Sequence, residues 1–208
     1  MMTNTSTIAG SPPPAGINDG GAWRGAIALA VVSMALLGLG YALLGMGLGW
    51  LLFPAQADGS LIERDGRVIG SALVAQPFAD ARYFHPRPSA AGYDPMNLAG
   101  SNQARLNPEL QLRLQATRQQ RAGDNGVPVP AVPSDLVTQS GSGIDPHLSP
   151  PSAQLQVARV ARARGLSEDT VAALVRTHTE RPTFGLLGAP RVNVLELNLA
   201  LDRLRAGP

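Results

Sequence analysis

The 208-residue sequence contains no cysteine and no lysine. The absence of cysteine excludes disulfides, thiolate metal sites and a lipid-modified N-terminal cysteine. All 17 basic residues are therefore arginines, and the 15 acidic residues leave a net charge of only +2. This balance does not provide the dense basic face of a nucleic-acid-binding protein, so we expect no nucleic acid partner.

Charge is absent from one long stretch, which runs from Gly25 to Ala57 and contains AIALAVVSMALLGLGYALLGMGLGWLLF at its centre. A bilayer core needs roughly 20 apolar residues of helix, and this run exceeds that length. A cleaved secretory signal is one alternative, because Arg24 and the Ala55-Gln56-Ala57 triplet fit its ends, but signals carry shorter apolar runs of about 7 to 15 residues. A buried helix is a second alternative. We predict an uncleaved transmembrane helix over residues 25–53.

The predicted transmembrane helix is rich in glycine, which lets another helix approach closely. Gly38, Gly45 and Gly49 are candidate helix-packing residues, and the last two form a GxxxG pair. The few flanking arginines do not decide the orientation. Because large C-terminal domains are translocated largely regardless of charge, we expect a cytoplasmic N-terminus, a single pass and an extracytoplasmic domain.

The remaining sequence predicts a disordered tail over residues 1–24 and one mixed α/β domain over residues 58–208. Asp65-Gly66 between short apolar runs predicts a tight β-hairpin. Residues 75–104 are rich in glycine and proline and predict a long, functional loop. Asn107-Pro108-Glu109 begins a helix that we expect to end at about Arg121, because residues 123–133 contain many helix breakers.

The C-terminal third has a helical pattern. Ser149-Pro150 predicts a helix to Arg164 that Gly165 ends, and Ser167 caps a second one. A DNA-binding helix-turn-helix is the functional alternative for this pair, although two helices joined by a glycine turn are a common arrangement. Asn193 begins a terminal segment whose length favours a helix, although its alternating leucines also fit a strand.

The most enzyme-like cluster consists of Ser140, Ser142, Asp145 and His147. These residues lie within eight positions of each other, which is too close for a typical catalytic triad built from separate elements. We favour a turn whose side chains bind nearby main-chain groups. The three histidines of the chain show no metal-ligand spacing, so we expect no metal.

The long loop offers its own candidate contact residues, namely Tyr83, Phe84, His85 and Tyr93. Aromatic residues dominate interface hot spots, but burial inside the domain is the equal alternative. His85 either contacts a partner or is a structural histidine whose ring nitrogens are satisfied within the chain.

Four segments together resemble one family. They are YFHPRPSAAGYDP at residues 83–95, GSN at 100–102, SDLVTQSGSGIDPHLSP at 134–150 and GAPRVNVLELNLALD at 188–202. In this order, after one membrane helix and an Asp-Gly hairpin, they closely resemble the C subunit of Kdp-type potassium-transporting ATPases. The sequence departs from the family pattern only in residues 1–20 and 127–133.

This resemblance implies a non-catalytic accessory subunit of an ATP-driven potassium import complex in the bacterial inner membrane. The implied partners are a channel-like potassium-translocating subunit and a P-type ATPase subunit, which handle K⁺ and ATP; the C subunit carries no cofactor of its own. The family is also credited with promoting ATP use, a catalytic chaperone role. An extracytoplasmic domain cannot touch cytosolic ATP, so that effect requires coupling through the assembly.

Carried over to this sequence, the resemblance predicts a partner-contact surface formed by Tyr83 to Ser89, which includes Arg87, and by Ser140 to His147. A membrane-anchored extracytoplasmic hydrolase that uses His147 or His85 with a serine is the alternative function. An anchored module that binds cell-wall polymer has no motif in its favour. No phosphate-binding glycine loop or P-type phosphorylation sequence is present, which places ATP hydrolysis in another subunit.

Overall fold

The computed structural model describes residues 21–204. Residues 1–20 of the predicted tail lie outside the described residues. The last three residues of the predicted tail, 22–24, form the start of a helix and not a tail. The described residues divide into two units between Ala57 and Asp58.

The first unit is a succession of helices: α1 (Ala22–Ser33), a π-helical segment (Met34–Gly40), α2 (Tyr41–Leu52) and α3 (Pro54–Ala57). The N–H of Tyr41 donates to the carbonyl of Leu36, five residues earlier, which is the π-helical pattern. An 18-residue window within the 31 residues Ala22–Leu52 reaches a mean hydropathy of 2.3, and no residue of this helix is buried. Within residues 21–204 this is the one helix with the length and composition to cross a membrane.

The second unit begins with the predicted hairpin, formed by β1 (Leu61–Arg64) and β2 (Arg67–Ser71). Asp65 and Gly66 have φ values of 53° and 73° at the turn. Two successive positive φ values match the right-handed twist of the paired strands, which is why Asp-Gly is favoured there. The hairpin prediction is confirmed.

Residues 72–107 contain no helix or strand, as the long-loop prediction requires. Helix α4 (Pro108–Asn125) follows, and the Asn107 side chain accepts a hydrogen bond from the N–H of Glu109 at 2.9 Å. The prediction that this helix ends near Arg121 is wrong. Gly123 stays helical in open space, and the helix ends only where Gly126 adopts a φ of 66°.

Four further helices form the C-terminal third: α5 (Pro150–Leu155), α6 (Val157–Arg164), α7 (Glu168–Thr177) and α8 (Val194–Arg203). Ser149, Ser167 and Asn193 cap α5, α7 and α8 as predicted. The single helix predicted from Pro150 to Arg164 is wrong, because Gln156, with φ −85° and ψ −9°, interrupts it. The terminal segment is a helix and not a strand.

A small antiparallel sheet completes the fold. It consists of β3 (His147–Leu148), β4 (Thr179–Glu180) and β5 (Arg191–Asn193) in the order β3-β5-β4. The core lies between this sheet and the C-terminal helices, and its fully buried members are Phe84, Leu136, Leu148, Val160, Val171, Val192, Val194, Leu197 and Leu201. The described chain therefore combines one apolar helix with a mixed helix and sheet domain, as predicted.

Candidate functional site

The two segments of the predicted contact surface lie against each other. Ser89 Oγ donates to the carbonyl of Gly143 at 2.6 Å, and the N–H of Ser140 donates to the carbonyl of Pro88 at 3.3 Å. Gly143 has a φ of 78°, and a Cβ there would lie 2.7 Å from the Cβ of Ala91. Only glycine satisfies both the conformation and the close approach, so the packing of the two segments depends on it.

Arg87 and Asp145 connect the same two segments by an ion pair. Arg87 Nη1 lies 2.9 Å from Asp145 Oδ2, while Asp145 Oδ1 accepts from the N–H of His147 at 3.0 Å and lies 3.4 Å from His147 Nδ1. Burial alone would raise the pKa of Asp145, but the hydrogen bonds from His147 and Arg87 outweigh it and lower that pKa to about 2. Asp145 is therefore ionised at physiological pH.

A groove of about 560 Å³ opens beside this ion pair. Its lining residues come from the loop, from the segment around β3 and from the start of β5: Arg87, Pro133, Ser134, Asp135, Asp145, His147, Leu148, Ser149, Pro151, Ala189, Pro190 and Arg191. Arg87 and Arg191 each carry a buried Nε with no hydrogen-bond partner among the described residues. The groove thus combines apolar walls with charged groups of both signs.

Strand β3 forms the edge of the sheet that borders the groove, and two carboxylates cover this edge. The N–H groups of His147 and Ser149 point away from β5 and are bound by Asp145 and Asp135, at 3.0 and 2.8 Å. An uncovered edge would offer these donors to any extended chain. The main-chain donors of His147 and Ser149 at this edge are therefore already bound within the chain.

The main chain of the loop is fixed by two side-chain amides, one from α8 and one from the break between α5 and α6. Asn198 exchanges two hydrogen bonds with the main chain of Phe84, both 2.9 Å long. Gln156 does the same with His85, accepting at 2.8 Å and donating at 3.1 Å. These two amides take the place that a neighbouring strand would occupy, which explains how a segment without secondary structure holds a defined position.

Arg159 supports the same loop from inside the domain. It is only 8% exposed, and its Nη1 donates to the carbonyls of Ala81 and Tyr83 at 2.6 and 3.0 Å. Its Nε and Nη2 donate to Asn125 Oδ1 and Gln156 Oε1 at 3.0 and 2.7 Å. Burial lowers the pKa of Arg159 to about 10. The sequence reasoning missed this network, because polar residues in amphipathic helices normally face solvent.

Both ring nitrogens of His85 have partners within the chain. Nδ1 lies 3.0 Å from Arg121 Nη1, which is a donor only, so the proton is assigned to Nε2, 3.2 Å from the carbonyl of Asp80. Burial, assisted by the positive charge of Arg159, lowers the pKa of His85 to about 4. This arrangement fits a structural histidine, and contact of His85 with a partner stays a prediction.

The aromatic residues of the loop are largely engaged inside the domain. Phe84 is fully buried, and the Tyr93 hydroxyl donates to the carbonyl of Arg87 at 2.9 Å. Tyr83 packs on Phe78 with ring centroids 5.3 Å apart, and Arg164 lies 4.7 Å above its ring. For Phe84 this corrects the expectation of side-chain contact with a partner, because the burial alternative holds.

The serines of the enzyme-like cluster bind their own surroundings. Ser142 Oγ accepts from the N–H of Ile144 at 3.2 Å, whereas Ser140 is buried and its Oγ has no partner among the described residues. The predicted turn therefore holds for Ser142 and Asp145. For Ser140 the prediction of side-chain contact with a partner is corrected, because this residue is buried. A serine bound to His147, which the hydrolase alternative needs, does not occur among the hydrogen bonds of residues 21–204.

These features define a class: a chain with one helix suited to a membrane and a mixed helix and sheet domain in which a long loop packs against the Ser-Gly-Ser-Gly segment. Its sequence from residue 23 to residue 203 matches the family model of KdpC, described as the c chain of the K⁺-transporting ATPase. The chain belongs to this family.

Similar proteins carry the same description. A potassium-transporting ATPase KdpC subunit of Xanthomonas campestris pv. campestris is 60% identical over 191 residues, which cover 92% of this chain and 91% of that protein. KdpC subunits of Methylococcus capsulatus and Geobacter metallireducens are 52% and 49% identical, covering 88% and 86% of this chain and 98% and 96% of those proteins. The family resemblance inferred from the four segments is confirmed.

Proposed function

We propose that the chain is a non-catalytic accessory subunit that stabilises a potassium-importing ATPase complex and promotes ATP use by its P-type ATPase subunit. The observation that carries this proposal is the match of residues 23–203 to the c chain of a K⁺-transporting ATPase. The chain contributes no cofactor, and the other subunits bind ATP and translocate K⁺.

The apolar helix supports the membrane part of this role. No residue of Ala22–Leu52 is buried within the chain, so its side chains are available to lipid and to other helices. A Cβ built at Gly38, Gly45 or Gly49 would meet nothing within 4 Å, which leaves space for a partner helix. We propose that this helix packs against the channel-like subunit through these glycines.

The groove beside Arg87 and Asp145 is the proposed contact surface of the domain. Its position is fixed by the ion pair and by Gly143, and its charged groups suit a polar rim around apolar contacts. His147 and Arg191 line it on the side of the sheet. A surface with a fixed shape is suited to a permanent subunit contact, because little conformational entropy is lost on assembly.

The effect on ATP use would be indirect. We place the N-terminus in the cytoplasm and the domain outside the inner membrane, so the domain and the nucleotide lie on opposite sides of the bilayer. The binding of this chain and the binding of ATP would then be coupled through the other subunits of the complex. Such a coupling free energy is reciprocal, so each binding event changes the affinity of the other by the same factor. Binding of ATP to the ATPase subunit should therefore tighten the hold of the complex on this chain.

Purification in mild detergent tests the assembly. The tagged chain is expected to bring a channel-like subunit and a P-type ATPase subunit with it, and the complex without this chain should lose K⁺-dependent ATPase activity or require more ATP. A paired variant, Arg87→Ala with Asp145→Ala, should weaken the assembly. Recovery of the chain alone from wild-type membranes would refute the proposal.

The absence of cysteine makes the orientation directly measurable. A single cysteine in place of Ser6 or of the exposed Leu106 can be labelled in intact cells with a membrane-impermeant maleimide. Because the chain has no native cysteine, any label on the purified chain reports that one position. We expect labelling at position 106 once the outer membrane is opened, and at position 6 only after the inner membrane is lysed. The reverse pattern would contradict an extracytoplasmic domain.

A further inference from the structure

Large apolar side chains project from a short turn between β4 and β5. This apolar turn, residues 183–187, presents Phe184, Leu186 and Leu187, which are 88%, 85% and 62% exposed. Each Phe or Leu of this exposure leaves on the order of 100 Å² or more of apolar surface in water. The largest apolar patch of a monomer, roughly 300–600 Å², is often functional. The turn is separate in sequence from the segments that predicted the contact surface.

The apolar turn is held in one conformation. Thr183 and Leu187 exchange two main-chain hydrogen bonds of 2.8 and 2.9 Å, and the N–H of Gly185 donates to the carbonyl of Pro182 at 2.9 Å. Phe184 has a φ of 55°, a left-handed conformation that bulky residues rarely adopt. The exposed side chain of Phe184 therefore projects from a strained backbone that main-chain hydrogen bonds hold in place. Backbone strain of this kind is concentrated at functional positions.

The charges around the apolar turn indicate what would cover it. Residues 182–190 carry no charge. Arg181 before them is exposed, whereas Arg191 after them is paired with Glu180, with Arg191 Nη2 2.7 Å from Glu180 Oε2. Arg191, together with Ala189 and Pro190, also lines the groove of the proposed contact surface. The apolar turn is thus adjacent in sequence to that surface, and its complement is an apolar pocket with an acidic group opposite Arg181.

We propose that the apolar turn inserts Phe184 and Leu186 into such an apolar pocket, with an acidic group opposite Arg181, on another subunit of the same potassium-transporting complex. This inference rests on the proposed function, because it takes the partner to be a subunit of that complex. A lipid surface is the competing occupant, since it also accepts aromatic and leucine side chains beside arginines. The fixed and strained conformation favours a protein pocket as the occupant. A preformed shape lowers the entropy cost of binding to a pocket of matching shape, whereas a fluid bilayer has no fixed shape to match.

Photo-crosslinking in native membranes identifies the neighbour of the turn. Phe184 is replaced by p-benzoylphenylalanine in the full chain within the assembled complex, and the same replacement at Leu106, which is 92% exposed outside the turn, is the matched control. We expect an adduct with another subunit from position 184 and none above background from position 106. Adducts at 184 with lipid, with a second copy of the chain, or with nothing beyond the control would overturn the inference.

Variants measure how much the contact contributes. Phe184→Ser with Leu186→Ser should reduce retention of the chain in the complex about tenfold, as expected for hot-spot residues, whereas Leu106→Ser should leave it unchanged. The thermal unfolding midpoint of each purified chain checks that folding is intact. Equal retention of both variants would overturn the inference while leaving the proposed function standing; failure of the wild-type chain to co-purify with any subunit would refute the proposed function itself.

Discussion

Asn198 and Phe84, which are 114 positions apart, are joined by two hydrogen bonds between a side-chain amide and a main chain. Asn198 Oδ1 accepts from the N–H of Phe84, and Asn198 Nδ2 donates to its carbonyl, each at 2.9 Å. Asn198 lies on α8 in the core, and Phe84 is fully buried. One buried amide thus satisfies both main-chain groups of a residue that has no strand partner.

Loss of this pair should destabilise the domain. Asn198→Ala leaves the N–H and the carbonyl of Phe84 buried without partners, and we expect the free energy of unfolding to fall by about 2–4 kcal/mol. Urea titration of the full chain in detergent measures the change. Asn97→Ala, at an exposed position, is the control and should stay within about 0.5 kcal/mol of wild type.

Gly143 and Gly141 form a matched pair within the Ser-Gly-Ser-Gly segment. Gly143→Ala combines a φ of 78° with a Cβ 2.7 Å from Ala91, so we expect a loss of about 2–4 kcal/mol in unfolding free energy. A Cβ at Gly141 meets nothing within 4 Å, and Gly141→Ala should be tolerated. Comparable stability of the two variants would show that the close approach at Gly143 does not constrain the loop.

Replacing Arg159 should destabilise the domain far more than replacing Arg162 on the same helix. Arg159→Met removes four hydrogen bonds and leaves Asn125 Oδ1 and the carbonyls of Ala81 and Tyr83 without this donor, so it is expected to cost about 3–5 kcal/mol. Arg162 is exposed, and Arg162→Met should change stability by less than about 0.5 kcal/mol. Limited proteolysis provides a second measurement, because the Arg159 variant should open the loop at residues 79–85 to cleavage first.

Stability should decrease in mild acid because of His85. Burial lowers the pKa of His85 from 6.5 to about 4, so between these values the unfolded chain binds a proton that the folded chain does not. The free energy of unfolding is therefore expected to fall as the pH decreases from about 6.5 to 4, and His85→Gln should flatten this slope.

An NMR titration of the His85 ring tests the cause. In Arg121→Met the hydrogen-bond donor to Nδ1 and one nearby positive charge are lost, so the pKa of His85 should rise above its value in the wild-type chain. An unchanged titration curve would contradict the proposed influence of Arg121, whereas a wild-type midpoint near 6.5 would remove the pH effect altogether.

Local signals predicted several elements correctly. The Asp-Gly pair predicted the hairpin, and Ser149, Ser167 and Asn193 predicted three helix starts, because turns and caps depend on residues within a few positions of each other. The same local logic failed at Gly123, where helix-breaking tendency alone did not end the helix. It failed again at Gln156, which interrupts a helix while its side chain binds a residue 71 positions away.

The sequence predicted which segments form the candidate site, but not how their side chains are arranged in space. The resemblance selected residues 83–89 and 140–147, whereas the burial of Phe84 and Ser140 and the buried Arg159 were not visible in it. Polar side chains in helices are usually solvated, so no sequence pattern distinguished Arg159 from Arg162.

The sequence by itself determined that this chain carries a helix fit for a membrane, because length and hydropathy are properties of consecutive residues, and it determined the family through the order of four segments. Only the tertiary structure decided which loop residues face inward and which apolar side chains stay exposed. Burial depends on contacts between residues far apart in the chain, such as Asn198 with Phe84. Those contacts arise only when the loop and the helices pack together.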